Sequence, residues 1–120
     1  MANQKDLEKA LRYSELMKAG KYSEARKIDL SLADLSGANL SYANLSHANL
    51  SGAILSLATL SYANLSDANL SLANLSDAYL THANLSHANL SGAILSHATL
   101  SYANLSDAKI SIGNVNRIIK

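Results

Sequence analysis

The chain has 120 residues, enough for one domain, and half of them are Leu (22), Ala (20) or Ser (18). Pro, Cys, Trp and Phe are absent, so disulfides and thiolate metal sites are excluded. The net charge of +1 divides into +3 over residues 1–28, −4 over 29–112 and two further cations, Arg117 and Lys120; neither block is strong enough to imply nucleic-acid or membrane binding by electrostatics alone.

Apolar runs reach only two or three residues, so no helix long enough to span a bilayer is expected. Positions 1–20 are charged and polar, which does not fit a secretory signal, and the expected compartment is the cytoplasm. Residues 1–27 read as a helical segment. Asn3 is placed to cap it, with Asp6 in the first turn. Leu7, Ala10, Leu11 and Met17 are expected to share a face, and Gly20 to stop the helix. Ser23 is expected to begin a second short turn over residues 24–27.

From residue 30 to residue 105 every fifth residue is Leu, sixteen in succession, followed by Ile110 and Val115. Ala stands two positions before each Leu from Leu35 onward, and Ser follows it, with Thr81 as the one exception up to Ser111. Period five is neither helical nor that of a straight strand: on a helix, steps of five would rotate successive Leu by ~140° and scatter them over every face. Ala and the Leu two residues later point the same way on a short extended piece. If the chain bends at the next two residues, every unit sends two side chains inward and three outward. Bends repeated in one sense make a coil, and coils stacked at ~4.8 Å bury Leu ladders that no unit buries alone.

Units such as Ala38-Asn39-Leu40-Ser41-Tyr42 and Ala63-Asn64-Leu65-Ser66-Asp67 resemble the pentapeptide-repeat family, whose consensus is Ala-(Asp/Asn)-Leu-x-x. The resemblance covers about eighteen units, from residue 28 to residue 117. It implies an all-β solenoid, a right-handed quadrilateral β-helix with four units per coil, which the segment 1–27 would cap with α-helix. Residues 118–120 remain as a tail. The sequence supports a twenty-residue coil on its own account: residues 43–69 and 83–109 match at 25 of 27 positions, an offset of two whole coils. Such near-identity suits recent duplication or consensus design.

The expected core is Leu35, Leu40, Leu45, Leu50, Leu55, Leu60, Leu65, Leu70, Leu75, Leu80, Leu85, Leu90, Leu95, Leu100 and Leu105. Steps of twenty give four outward columns. Tyr42, Tyr62, His82 and Tyr102 form one; His47, Asp67, His87 and Asp107 the next; Leu32, Gly52, Leu72, Gly92 and Ile112 a third; Gly37, Leu57, Asp77 and His97 the fourth. Asn44, Asn64, Asn84 and Asn104 make an Asn column on one side. His47, Asp67, His87 and Asp107 are the residues of a type to ligate a metal, but they project in a line rather than converge, so solvated His–Asp pairs are expected. Tyr42, Tyr62 and Tyr102, with Ile54 and Ile94, are the candidate interaction surface; ladder packing is the alternative role for the tyrosines.

Ser recurs in every unit as a turn residue, with neither a unique position nor a distinctive elbow, so no nucleophile is assigned. No catalytic residue, metal or cofactor is called for. The expectation is a non-enzymatic scaffold with an unknown protein partner, without nucleic acid or membrane, and either monomeric or a weak homodimer through an end or apolar face. The family resemblance implies a second reading, a DNA mimic that binds a topoisomerase such as gyrase. That reading asks for a long, strongly acidic rod, and this one carries −4.

Overall fold

The computed structural model describes residues 1–111. The expectations for Ile112, for the repeat units up to residue 117 and for the tail lie outside the described residues.

Helix α1 spans Gln4–Lys18, and the Asn3 side chain accepts from the Asp6 N–H at 3.2 Å. It ends where Gly20 takes a φ of +75°. There the Gly20 N–H bonds the Met17 carbonyl at 3.1 Å and the Lys21 N–H bonds the Leu16 carbonyl at 2.8 Å, a Schellman closure. A single-turn helix α2, Tyr22–Ala25, follows and begins ahead of the expected Ser23. The buried stripe of α1 is Ala10, Tyr13, Ser14, Leu16 and Met17. This corrects the expected face: Leu11 is exposed, because the stripe advances by three and four residues from Ala10 and leaves Leu11 on its flank. Leu7 is half-buried.

Each repeat unit then builds one turn. The Leu carbonyl accepts from the Ala N–H three residues on, as in Leu65 and Ala68 at 3.1 Å. The third residue of every such turn lies in the left-handed region, from Leu32 at φ +61° to Asp107 at +57°. Only three of these positions, Gly37, Gly52 and Gly92, are glycines. This is the geometry of a type II turn, in which φ > 0 at that residue reverses the chain.

Successive coils pair with an offset of twenty residues throughout, from Asp34 with Ile54 to Asn84 with Asn104. At mid-array the Asn64 N–H reaches back to the Ala43 carbonyl at 2.9 Å, and the Leu65 N–H reaches forward to the Asn84 carbonyl at 2.7 Å. The chain is therefore a solenoid of stacked coils with four five-residue units in each. The expected strands are shorter than an all-β description suggests. A straight piece between two turns holds too few residues for a ladder, so most sides contribute one isolated parallel bridge. Among the described residues, strands form only at β1, Asn89–Leu90, and β2, Lys109–Ile110, which pair in parallel.

Ala and Leu fill the axis. Every expected core Leu from Leu35 to Leu100 is buried, and Leu30 joins them. Leu105 departs from the expectation: it is only half-buried. It sits in the last described coil, where the described residues pack it from one side.

Helix α1 and its N-cap supply the groups that a preceding coil would. In the upper coils the Ile54 N–H, the Ile54 carbonyl, the Asn64 N–H and the Ser66 carbonyl are satisfied by Ala33, Leu35, Ala43 and His47. One coil lower, the equivalent groups of Asp34, Asn44 and Ser46 have no coil beneath them. The Asp34 carbonyl accepts from the Asn3 N–H at 2.9 Å, and the Asp34 N–H donates to Asp6 Oδ2 at 2.8 Å. The Asn44 N–H donates to Ser14 Oγ at 2.8 Å, and the Ser46 carbonyl accepts from the buried Tyr13 hydroxyl. Four edge groups that would otherwise template another chain are paired in this way.

Candidate interaction surface

The exterior repeats because its scaffold repeats. In most units the side chain before Leu, Asn or Asp, turns back on its own backbone. Asn64 Oδ1 accepts from the Ser66 N–H at 3.0 Å and from the Ser66 hydroxyl at 2.7 Å. Asn44, Asn69, Asn74 and Asn104 make the same pair of bonds with the Ser two residues on. This local closure favours a turn over continued strand. It also commits those Ser hydroxyl protons, so these serines serve structure. Asp29 and Asp34 take the Asn role in the first coil. The Ser31 N–H and then its hydroxyl hold the Asp29 carboxyl below its usual range. The Ser36 hydroxyl and then its N–H do so for Asp34.

The corner formed by Tyr42, Tyr62, His82 and Tyr102 is a continuous ring stack. Centroids lie 5.0, 4.7 and 4.9 Å apart, with planes within 9°. Ring faces are spent on one another, and ring edges and hydroxyls point outward. Tyr62 is 50 % exposed and Tyr102 82 %. A flat ligand has no free face to stack on within the ladder, but a protein surface can meet its polar edge.

The next corner splits into two pairs. His47 Nε2 lies 3.8 Å from Asp67 Oδ2, and His87 Nε2 lies 3.8 Å from Asp107 Oδ2, all four side chains about half-exposed or more. Among the described residues no three His, Cys, Asp or Glu converge as a metal site. The four metal candidates therefore do not assemble one; they stand in a row on a straight edge.

The third corner alternates in size. Leu32 leans over Gly52, where an added Cβ would lie 2.7 Å from Leu32 Cδ2, and Leu72 leans over Gly92, with a corresponding 2.8 Å. Ile54 and Ile94 stand on the adjacent side and are partly exposed, as is Leu57 beyond them. Tyr79, which the sequence reading did not single out, is half-exposed on the side between Leu57 and the aromatic ladder. The larger omission was the contact that Tyr13, Ser14 and Asp6 make with the first coil, Asp6 having a sequence role only in the first helical turn; the one signal was polar groups three and four residues to either side of Ala10. Burial raises the Tyr13 pKa, and the nearby Arg26 cation partly offsets that rise. No described helix is long and apolar enough to cross a membrane.

A family model for pentapeptide repeats matches residues 23–52, 38–77 and 73–111, with 8 copies. Among solved structures, alr5209, a pentapeptide repeat protein from Nostoc Pcc 7120, is 38 % identical with a TM-score of 0.51; the match covers 80 % of this chain and 75 % of that one. Rfr23, a pentapeptide repeat protein from the cyanobacterium Cyanothece 51142, is 41 % identical with a TM-score of 0.40, over 71 % of this chain and 61 % of that one. QnrB1, a plasmid-mediated fluoroquinolone resistance protein, is 21 % identical with a TM-score of 0.33, over 76 % and 56 %. No curated protein matches the chain.

Proposed function

The chain belongs to the pentapeptide-repeat family, and from that premise we propose that it is a non-enzymatic scaffold that binds another protein along its sides. The observation that carries this reading is the ordered exterior. The ring stack of Tyr42, Tyr62, His82 and Tyr102 presents polar edges at one-coil spacing, set beside the paired His47 and Asp67 corner. Those side chains are held by the coil beneath them, so a partner that meets them orders little. Tyr is also the residue type that interfaces favour. The coils are proposed to turn right-handed as a quadrilateral β-helix, and the protein to work in the cytoplasm as a monomer or weak homodimer.

Affinity capture on the immobilised full chain, run beside a Tyr62→Ala/Tyr102→Ala variant, tests the reading. A protein retained by the parent and lost from the variant supports it. A retained protein indifferent to the ladder would move the interface elsewhere. Inhibition of DNA supercoiling by gyrase would favour the DNA-mimic reading, which the weak acidity of the rod disfavours.

A further inference from the structure

A crevice opens where α1, α2 and the first coil meet. Met17, Tyr22, Arg26, Asn44, Ser46 and His47 line it, and its volume is about 260 Å³. That is below the range of sites for whole drug-sized ligands and suits one small group. We propose that this crevice binds a small oxyanion, a carboxylate or phosphoryl group, through the Arg26 guanidinium, the Asn44 side-chain amide and the Tyr22 hydroxyl.

Asn44 Oδ1 already accepts from the Ser46 N–H at 3.1 Å and the Ser46 hydroxyl at 2.7 Å. The Ser46 carbonyl is taken by the Tyr13 hydroxyl, and the Asn44 N–H by Ser14 Oγ. Asn44 Oδ1 and the Ser46 carbonyl, two acceptors of this wall, are thus engaged from within the protein. On the donor side, the Asn44 Nδ2 group, the Tyr22 hydroxyl and the five N–H groups of the Arg26 guanidinium make no hydrogen bond among the described residues and are open to a ligand.

Among the described residues Arg26 also has no acidic partner. The ion pairs among the described residues join His47 to Asp67 and His87 to Asp107, and neither involves Arg26. It lines the crevice together with Asn44 and Ser46, and its charge partly offsets the rise that burial gives the Tyr13 pKa. A planar fork of this kind grips two oxygens of a carboxylate or phosphate at once. Met17 gives the crevice an apolar side, and the surrounding segment 1–28 carries +3. Asp67, paired with His47 at the rim, is the opposing charge.

The test is an amide-resolved NMR titration of the full chain with sodium phosphate and, separately, sodium acetate, against sodium chloride at matched ionic strength. Saturable shifts confined to residues 22–26 and 44–47 with either oxyanion are expected; response to phosphate alone assigns the phosphoryl group, and to both the wider class. Arg26→Gln should weaken binding by about tenfold or more. Arg26→Lys should recover part of the loss, and Lys27→Gln, which removes a neighbouring charge outside the crevice, should leave affinity within about twofold. The same spectra report whether each variant is folded. Linear, unsaturated shifts, or equal losses for Arg26→Gln and Lys27→Gln, would overturn the proposal as unspecific attraction to the basic segment.

Discussion

At the scale of single residues, inward and outward positions differ sharply in what they tolerate. Leu65 is fully buried between coils, and a carboxylate there would have no partner among stacked Leu. Leu65→Asp is therefore expected to cost about 4 kcal/mol or more and to unfold much of the array. Its neighbour Asn64 accepts two bonds from Ser66. Asp29 and Asp34 show that a carboxylate fills the same place, so Asn64→Asp should shift the melting temperature by no more than a few degrees. Equal losses in the two melts would mean that the faces are reversed. The lowered pKa of Asp34 gives a pH dependence of definite sign. Its contribution is complete above the ordinary value of 3.8 and is lost as pH falls through that value and then through the depressed folded one. As pH falls below about 4 the parent should lose more stability than Asp34→Asn; parallel acid melts of the two would contradict this. The inward positions were legible from the Leu and Ala period alone. The Asn-to-Ser closure was not, because a polar residue that bonds its own backbone and one that faces water give the same pattern.

At the scale of elements, α1 matters through the edge it covers. Tyr13 and Ser14 each satisfy one backbone group of the first coil. Tyr13→Phe and Ser14→Ala should each cost roughly 1–2 kcal/mol, since each leaves a buried or part-buried group unpaired. Both losses should appear in chemical denaturation, and an unchanged midpoint for both would show that water replaces the helix there. Removing residues 1–27 should expose the first Leu layer and its edge together. Interior coils contact only their neighbours, so the array should survive and self-associate. Light scattering after size exclusion decides between that and a soluble species of unchanged mass, which would recast the segment as an interaction arm. The sequence marked this helix by Asn3 and Gly20, and both stand where expected. It misplaced Leu11, because hydrophobicity alone cannot see that the coil edge asks for hydroxyls and a carboxylate rather than more apolar surface. It also led to an expectation of strands, where five-residue units leave room for single bridges.

At the scale of the whole molecule, one number organises everything: the offset of twenty between paired residues. It stacks the Leu ladder inside, sets the ring spacing of the aromatic corner and aligns His47 with Asp67. The duplication at an offset of forty made that number visible in the sequence. The chain has no cysteine, which permits a direct test by paired substitution. Tyr62 and His82 are twenty apart, with ring centroids at 4.7 Å, so Tyr62→Cys/His82→Cys places two thiols on adjacent coils within disulfide reach. Tyr62→Cys/Asp77→Cys, fifteen apart, places them on different corners. Mild oxidation followed by mass analysis of the monomer should show a near-complete intrachain disulfide in the first variant and free thiols in the second. Free thiols in the first and a bridge in the second would contradict the four-unit coil.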